Sequence, residues 1–354
     1  MERLFNFILT FIVMICLASC EGKSKIPTEY CEELVKLAED GNAEAQTRLG
    51  EILMKGNGVA QNADEAIKWY QKAAEQGFAK GQRLLGECYI LGKGVSKDAN
   101  KGAELIKKAA EQGGAEEQAA LSTLYEYGWG VPQDDKEAFK WCEKAAKQGF
   151  AKAQRVLGMD YVLGEGVEQD YKEGKKWFEK AIKQGDTESK VYLAELYLAG
   201  AGVPKDMIKG MTLIDEAAKE GNATAQYTMG CALKFGNEAV LMDMEKALSL
   251  FKMAAEQGDK DAQYEVGTAF ENGWGGAYVD YNEALKWYQL AAKQGQRDAQ
   301  YKIGQVYDFG LNGTPKDYKE ALKWYQLAAE QGQKDAQSSI QNLYWRKMNG
   351  IIDF

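Results

Sequence analysis

The spacing of apolar residues predicts two helices in each short segment of this chain. In residues 41–76, Ala45, Leu49 and Leu53 recur four residues apart and predict a helix over residues 43–55. A second stripe predicts a second helix, and its members are Ala66, Trp69, Tyr70, Ala73 and Ala74. The turn that leads to the next helix is short, so we expect the helices to pack antiparallel.

The two-helix pattern repeats along nearly the whole chain. Each unit ends at a glycine, and these glycines lie 36 residues apart five times and then 37 residues apart three times. The closing glycines are Gly41, Gly77, Gly113, Gly149, Gly185, Gly221, Gly258, Gly295 and Gly332. They bound eight units, called repeats 1 to 8 below. A fixed period of this size predicts a solenoid, in which each unit buries its apolar face against its neighbours.

Small and polar residues mark the contacts and ends of the predicted helices. Gly50 lies inside the first helix and lets a neighbouring helix approach, while Gly56 is expected to end that helix in the left-handed conformation. The second helix begins after an Asn or Asp N-cap in every repeat: Asn62, Asp98, Asp134, Asp170, Asp206, Asp243, Asp280 and Asp317. In five repeats a glutamate three residues later predicts a capping box: Glu65, Glu137, Glu173, Glu283 and Glu320.

The repeated motifs resemble the Sel-1-like repeat, a longer-looped relative of the tetratricopeptide repeat. The resemblance rests on A-Q-x-x-L-G-x-x-Y-x-x-G-x-G-V and D-x-x-x-A-x-x-W-x-x-x-A-A-x-Q-G, and it covers about residues 28–345. It implies an all-α fold, a right-handed α-solenoid of about eight helical hairpins, and usually an adaptor or binding scaffold. Residues 28–40 match only a second helix and residues 334–347 only a first helix, so both are expected to cap the solenoid, for 18 helices in all.

The first 19 residues predict a cleaved lipoprotein signal peptide. Leu4–Leu17 is an apolar run of 14 residues, whereas a membrane-spanning helix needs about 20. The run ends in Leu-Ala-Ser-Cys, which resembles the bacterial lipoprotein box, with Cys20 as the lipidated first residue of the mature chain. The alternative is a plain signal peptide in which Cys20 is incidental.

The remaining boundaries follow from this prediction. Residues 20–28 are a polar tether, residues 28–347 the solenoid, and residues 348–354 a C-terminal tail. The expected location is the bacterial cell envelope, with the chain lipid-anchored. Glu21 follows the cysteine in place of the aspartate that often marks inner-membrane retention, which favours the outer membrane or the periplasmic side.

Composition excludes several function classes. The chain has no histidine, so Ser-His-Asp and Cys-His catalysis as usually built are excluded, and the commonest zinc ligand is missing. The net charge of −9 disfavours nucleic acid as a partner. The recurring Gly-x-Gly follows a helix rather than a strand, which indicates a loop and not a nucleotide site. We therefore expect no catalytic residue, no cofactor and no metal.

Two further residue types have a structural interpretation. A tryptophan column in the second helices is predicted to pack in the core rather than to stack sugars: Trp69, Trp141, Trp177, Trp287 and Trp324. No two solenoid cysteines share a repeat, so no disulfide framework is predicted, although a Cys31–Cys88 pair stays open.

The candidate binding surface is the variable face of the first helices. In relatives this helix lines the concave surface, and its most variable position holds Arg83, Arg155, Tyr227, Tyr264 and Tyr301. The three tyrosines are in register and form a predicted binding ladder, because tyrosine offers a large contact area with a polar tip. Alternatively, these rings pack between adjacent helices and expose only their hydroxyl groups.

Acidic and polar side chains beside the ladder suggest what it would hold. Glu271, Asp308 and Gln305 are expected to orient a bound peptide and to favour a basic or amine-bearing partner.

The function best supported by the sequence is a non-catalytic, membrane-tethered scaffold that holds a protein or peptide in its concave groove. Its expected form is a monomer. The alternatives are a cell-envelope enzyme, a receptor for glycan or peptidoglycan fragments, and a structural spacer without a partner.

Overall fold

A computed structural model describes residues 28–311 and 313–353 of the chain. Over these residues the chain is all-helical, with 18 α-helices and no strand, as predicted. In chain order the helices are α1 Glu32–Glu39, α2 Ala43–Lys55, α3 Ala63–Glu75, α4 Ala79–Leu91, α5 Ala99–Glu111, α6 Ala115–Tyr127, α7 Asp135–Lys147, α8 Ala151–Leu163, α9 Tyr171–Ile182, α10 Thr187–Ala199, α11 Met207–Lys219, α12 Ala223–Phe235, α13 Met244–Glu256, α14 Lys260–Asn272, α15 Tyr281–Lys293, α16 Arg297–Phe309, α17 Tyr318–Glu330 and α18 Lys334–Met348.

The helices form an α-solenoid of consecutive hairpins. Repeats 1 to 8 consist of the pairs from α2 with α3 to α16 with α17, while α1 precedes them and α18 follows them. The chain divides after Gln169 into two compact units, so α1–α8 belong to unit 1 and α9–α18 to unit 2. Within each unit a second helix packs on its own first helix and on the first helix of the next repeat.

The deepest core position lies one residue after the tryptophan column. Its members in the eight repeats are Tyr70, Ile106, Cys142, Phe178, Ile214, Phe251, Tyr288 and Tyr325, all buried. Trp69 and Trp177 are buried, whereas Trp141, Trp287 and Trp324 are half-buried and pack against the core, so the tryptophan column lies on the core as predicted and at its edge in these three repeats. The predicted close approach at the first-helix glycine is confirmed, because a Cβ on Gly267 would lie 2.6 Å from the Tyr288 ring.

In five repeats the second glycine of the Gly-x-Gly loop makes a contact that joins neighbouring repeats: Gly94, Gly130, Gly166, Gly202 and Gly275. Gly130 has φ +73°, and a Cβ built on it would lie 2.0 Å from the carbonyl oxygen of Ala99. Ala99 is the first residue of α5, the second helix of the preceding repeat. The loop therefore presses its backbone onto the first turn of that helix, which no side chain would permit.

The N-caps are confirmed, but only half of the capping box forms. Each predicted Asn or Asp accepts a hydrogen bond from a backbone N–H in the first turn, as Asp98 does from Lys101 at 3.0 Å. The cap's own N–H is already used, since Asp134 N donates to the Tyr125 carbonyl at 3.0 Å. Four of the five glutamates pair with a lysine instead, as Glu137 does with Lys140 at 2.6 Å, whereas Glu65 accepts a hydrogen bond from the Asn62 side chain at 3.2 Å.

A seam of buried glutamines runs through the repeats. Gln226 on α12 donates to the Ala218 carbonyl of the preceding helix at 3.2 Å and accepts a bond from Gln257 of its own repeat at 2.8 Å. The same internal Gln–Gln bond occurs at Gln46–Gln76, Gln82–Gln112, Gln118–Gln148, Gln263–Gln294 and Gln300–Gln331. Repeat 5 uses a charged pair at these positions, with Lys190 donating to Glu220 at 2.7 Å.

Candidate functional site

The first helices line a cleft in each unit. In unit 1, a cleft of about 470 Å³ lies between α6 and α8 and is also lined by α4. In unit 2, a cleft of about 440 Å³ is lined by α12, α14 and the start of α16. Part of the variable face predicted from the sequence therefore lines a cleft in each unit.

The unit 1 cleft contains both predicted arginines. Arg83 on α4 and Arg155 on α8 line the cleft, and Ala119 holds the same repeat position on α6. Ala120 and Ala153 add further small side chains, and the Phe150 ring lines the cleft beside them. Small side chains between two arginines leave space that an extended segment of a partner would fill.

Arg83 is held by carboxylates of its own helix and of α6. Its guanidinium donates to Glu87 at 2.7 Å, to Glu116 at 2.8 Å and to Glu117 at 3.2 Å. Burial lowers the pKa of Arg83, but Glu87 and Glu117 more than offset this, so its pKa is raised. A partner carboxylate would have to displace Glu116, which is the most exposed of the three.

The structure brings two of the three predicted tyrosines together. Tyr227 and Tyr264 both line the unit 2 cleft, with Lys260 and Arg297 beside them. Tyr301 lies on α16, where its hydroxyl is 3.4 Å from the Ser339 hydroxyl of α18. The predicted ladder of three is thus a pair in the cleft and a third ring beside the C-terminal helix.

The rings of these three tyrosines pack toward the core. Each half-buried ring packs on the core aromatic of its own repeat, and the centroid separations are 5.8 Å for Tyr227–Phe251, 5.6 Å for Tyr264–Tyr288 and 5.4 Å for Tyr301–Tyr325. Burial raises the pKa of Tyr264 to about 12. The rings therefore belong to the core and the cleft wall at once.

The acidic side chains expected to orient a partner are used within the chain. Glu271 accepts hydrogen bonds from the Tyr288 hydroxyl at 2.7 Å and from Lys302 Nζ at 2.8 Å. Asp308 is buried and forms an ion pair with Arg346 of α18. Since both carboxylates already have cationic partners, they do not select a basic ligand.

One unusual residue was missed by the sequence reasoning. Asp160 on α8 occupies a position that is apolar in every other repeat, where the chain has Ile52, Cys88, Leu124, Leu196, Ala232, Ala269 and Val306. Burial, and after it the nearby carboxylates of Glu126, Glu165 and Asp135, together raise the pKa of Asp160 to about 7. Comparing the repeats column by column would have revealed it, because a single carboxyl interrupts an apolar column.

Over residues 28–311 and 313–353, no group of three or more His, Cys, Asp or Glu side chains could hold a metal ion. Cys31, Cys88, Cys142 and Cys231 are free thiols. None of the helices that the structure describes is long and apolar enough to cross a membrane. The predicted lipidation site Cys20 lies outside the described residues.

Comparison with known proteins identifies the repeat. The Sel1 repeat family model matches eight consecutive segments: residues 43–78, 79–114, 118–150, 151–186, 187–222, 223–259, 260–296 and 297–333. Comparison of the sequence with curated proteins gives no match.

Two solved structures are similar over most of the chain. One is c5321, a protective antigen of uropathogenic Escherichia coli with an SLR fold, at 34% identity and a TM-score of 0.63, covering 89% of this chain and 67% of that one. The other is a Sel1 repeat protein from Oxalobacter formigenes, at 30% identity and a TM-score of 0.63, covering 93% and 92%. Sel1 repeat proteins generally mediate protein–protein interactions and are generally non-catalytic. The chain belongs to the Sel1 repeat family.

Proposed function

We propose that this protein is a non-catalytic scaffold that binds an extended segment of a partner protein along its first helices. The observation that carries the proposal is the pairing of Tyr227 and Tyr264, from successive repeats, in one cleft. Aromatic side chains with a polar tip supply much of the contact energy in protein interfaces. Their packing on the core holds the rings in place before binding, which lowers the entropic cost of association.

Charges beside these rings indicate the character of the bound segment. Lys260 and Arg297 lie in the unit 2 cleft together with Asp261, Glu265 and Asp298, so both signs are present. A segment with alternating charges and an apolar side chain for the tyrosine pair fits this surface best. Charge complementarity of this kind contributes mainly to specificity and to the rate of association.

Site-specific photo-crosslinking tests the proposal. A photo-reactive amino acid at Arg297 in the unit 2 cleft, or at Lys152 in the unit 1 cleft, should crosslink to one partner protein in cells. The same group at Lys140, exposed on the second helix α7, is the matched control and should give no such product. Crosslinks from Lys140 alone, or none from either cleft, would refute binding along the first helices.

We also propose that the scaffold is attached to the bacterial cell envelope through a lipid on Cys20, on the outer membrane or the periplasmic side. Support comes from the apolar run that ends in Leu-Ala-Ser-Cys. The eight residues from Cys20 to Pro27 precede Thr28, whose carbonyl accepts a hydrogen bond from Arg48 at 3.1 Å. Fully extended, that tether would span up to about 30 Å, enough to hold the first repeat clear of lipid headgroups.

The lipid anchor has a direct chemical test. Mass spectrometry of the native protein should find a chain that begins at Cys20 and carries acyl groups. Cys20→Ser should accumulate uncleaved or appear in the soluble fraction, whereas the control Cys31→Ser should be processed normally because its lipoprotein box is intact. A native chain that begins at Ser19 or earlier, without acyl groups, would disprove lipidation.

A further inference from the structure

Repeat 3 lacks the pair of aromatic rings that repeats 6, 7 and 8 each place at the same position. In those repeats a tyrosine of the first helix packs on the core aromatic of the second helix, as the Tyr227 ring does on Phe251 with centroids 5.8 Å apart. Repeat 3 has Ala119 at the tyrosine position and Cys142 at the core position. It is the one repeat in which both side chains are small, so it does not fill this place itself.

The unit 1 cleft lies at this place and reaches the core. Its lining includes Ala119 together with the buried side chains of Cys142 and Ser122. Ser122 holds the position of the first-helix glycine that meets the core ring in repeats 6, 7 and 8, as Gly230 meets Phe251. The cleft therefore extends from the surface to the level at which those repeats have their core aromatic.

The walls of the cleft correspond to the surroundings of Tyr227. Tyr227 has three polar neighbours, one on its own helix and two on the next first helix: Cys231, Asp261 and Glu265. The side chains at the same three repeat positions around Ala119 all line the unit 1 cleft: Thr123, Lys152 and Val156. A ring in the place of Tyr227 would therefore lie inside the unit 1 cleft.

We propose that the unit 1 cleft binds an aromatic side chain of the partner segment, in the place that the chain's own tyrosine fills in repeat 6. The proposal rests on the proposed binding along the first helices and names the residue type that anchors the segment in unit 1. The cleft of about 470 Å³ lies within the range of about 300–1,000 Å³ typical of pockets that hold small ligands. Aromatic side chains are prominent among the few residues that carry most of the binding energy of an interface.

The lining favours an aromatic ring over an aliphatic side chain. Val156, Ala153 and the Phe150 ring supply apolar walls, and aromatic rings pack on one another edge-on or offset. Arg83 also lines the cleft, and N–H groups in the plane of its guanidinium are bonded to three carboxylates. A guanidinium held in this way contacts a ring through its face. An aliphatic side chain would gain the apolar walls alone.

Methyl NMR of the purified full chain tests the cleft without a partner protein. The probe is N-acetyltyrosinamide, and its aliphatic counterpart is N-acetylleucinamide. The tyrosine probe should shift the methyl signals of Ala119, Ala153 and Val156 saturably, with a dissociation constant on the order of millimolar. The leucine probe should bind about 10-fold more weakly, because it lacks the contact with the guanidinium face.

Variants that fill the cleft from within test its location. Ala119→Tyr places a ring at the position of Tyr227 and should abolish the shifts of Ala153 and Val156, with a melting temperature at or above that of the wild type. Ala119→Met fills the same space with a more adaptable side chain and should also weaken binding of the probe. Ala119→Ser, which adds little volume, is the matched control and should keep the affinity for the probe within about threefold.

Crosslinking in cells connects the cleft to the partner. Ala119→Tyr should lower the yield of the product from Lys152 at least about 30-fold, whereas Ala119→Ser should retain it. A wild type in which neither cleft crosslinks to a partner would refute the proposed function. The probe needs no partner, so its binding would still decide whether the cleft takes an aromatic ring.

Three results would overturn the aromatic anchor. They are the absence of saturable methyl shifts with the tyrosine probe, equal affinity for the tyrosine and leucine probes, and a folded Ala119→Tyr variant that still binds the tyrosine probe.

Discussion

Phe251→Ala should lower the free energy of unfolding of the last repeats by about 3–5 kcal/mol. Phe251 is fully buried, and its ring lies against Gly230, where a Cβ would approach within 2.8 Å. It also meets Trp274 of the next repeat edge-on, with centroids 6.1 Å apart. Replacing the Phe251 ring by a methyl group therefore opens a cavity lined by residues of two repeats, with few side chains nearby to fill it.

The loss should stay local, because each repeat of a solenoid contacts only its neighbours. Hydrogen exchange should show faster opening of α12–α15 and unchanged protection of α2–α7 in unit 1. Phe235→Ala is the matched control: its side chain is 72% exposed at the end of α12, so its removal should cost less than about 0.5 kcal/mol. Equal loss of protection along the whole chain would contradict a core built repeat by repeat.

Asp160→Leu should stabilise unit 1 by about 2–4 kcal/mol at pH 8. Burial raises the pKa of Asp160 to about 7, well above the value of about 3.9 in an unfolded chain. The folded state therefore binds the proton of Asp160 more tightly than the unfolded chain does. The resulting contribution to the free energy of unfolding is complete below about pH 4 and is lost as the pH rises to about 7. Leucine removes the buried charge and restores the apolar column of the other repeats.

Denaturant unfolding at pH 5 and pH 8, followed by hydrogen exchange in α6–α8, measures this effect. The wild type should be less stable at pH 8 than at pH 5 in these helices, and Asp160→Leu should remove most of that difference. Glu165→Gln serves as the control, because it removes one neighbouring charge and should reduce the pH dependence only slightly. If Asp160→Leu were less stable than the wild type at pH 8, the ionised Asp160 carboxylate would be stabilising the fold, and the prediction would be wrong.

The parts of the fold that could be predicted are those set by residues close together in sequence. The helix over residues 43–55, the left-handed Gly56 and the N-cap Asp98 each follow from a few adjacent positions, and all three are present. The capping box failed because its outcome depends on another helix: the Tyr125 carbonyl of α6 accepts the N–H of Asp134 that Glu137 was expected to bind.

The candidate site was predictable in position but not in detail. The repeat register identified the first-helix face and placed Tyr227 and Tyr264 on it, and the structure finds a cleft there. Ring direction depends on what each ring packs against, and Phe251 lies 24 residues from Tyr227 in sequence and on another helix. Asp160 was visible only by comparing the same position across all repeats.

The glutamine seam has a consequence for how such chains change length over generations. Gln226 bonds its partner inside its own repeat and reaches the neighbouring repeat through the backbone carbonyl of Ala218, and Gln46, Gln82, Gln263 and Gln300 do the same. A backbone carbonyl is the same whatever residue carries it, so any repeat can follow any other at this junction. The altered pair Lys190–Glu220 also lies within one repeat and would be inherited as a unit. Duplication or deletion of a whole repeat in the gene would therefore leave every side-chain pair of the seam matched.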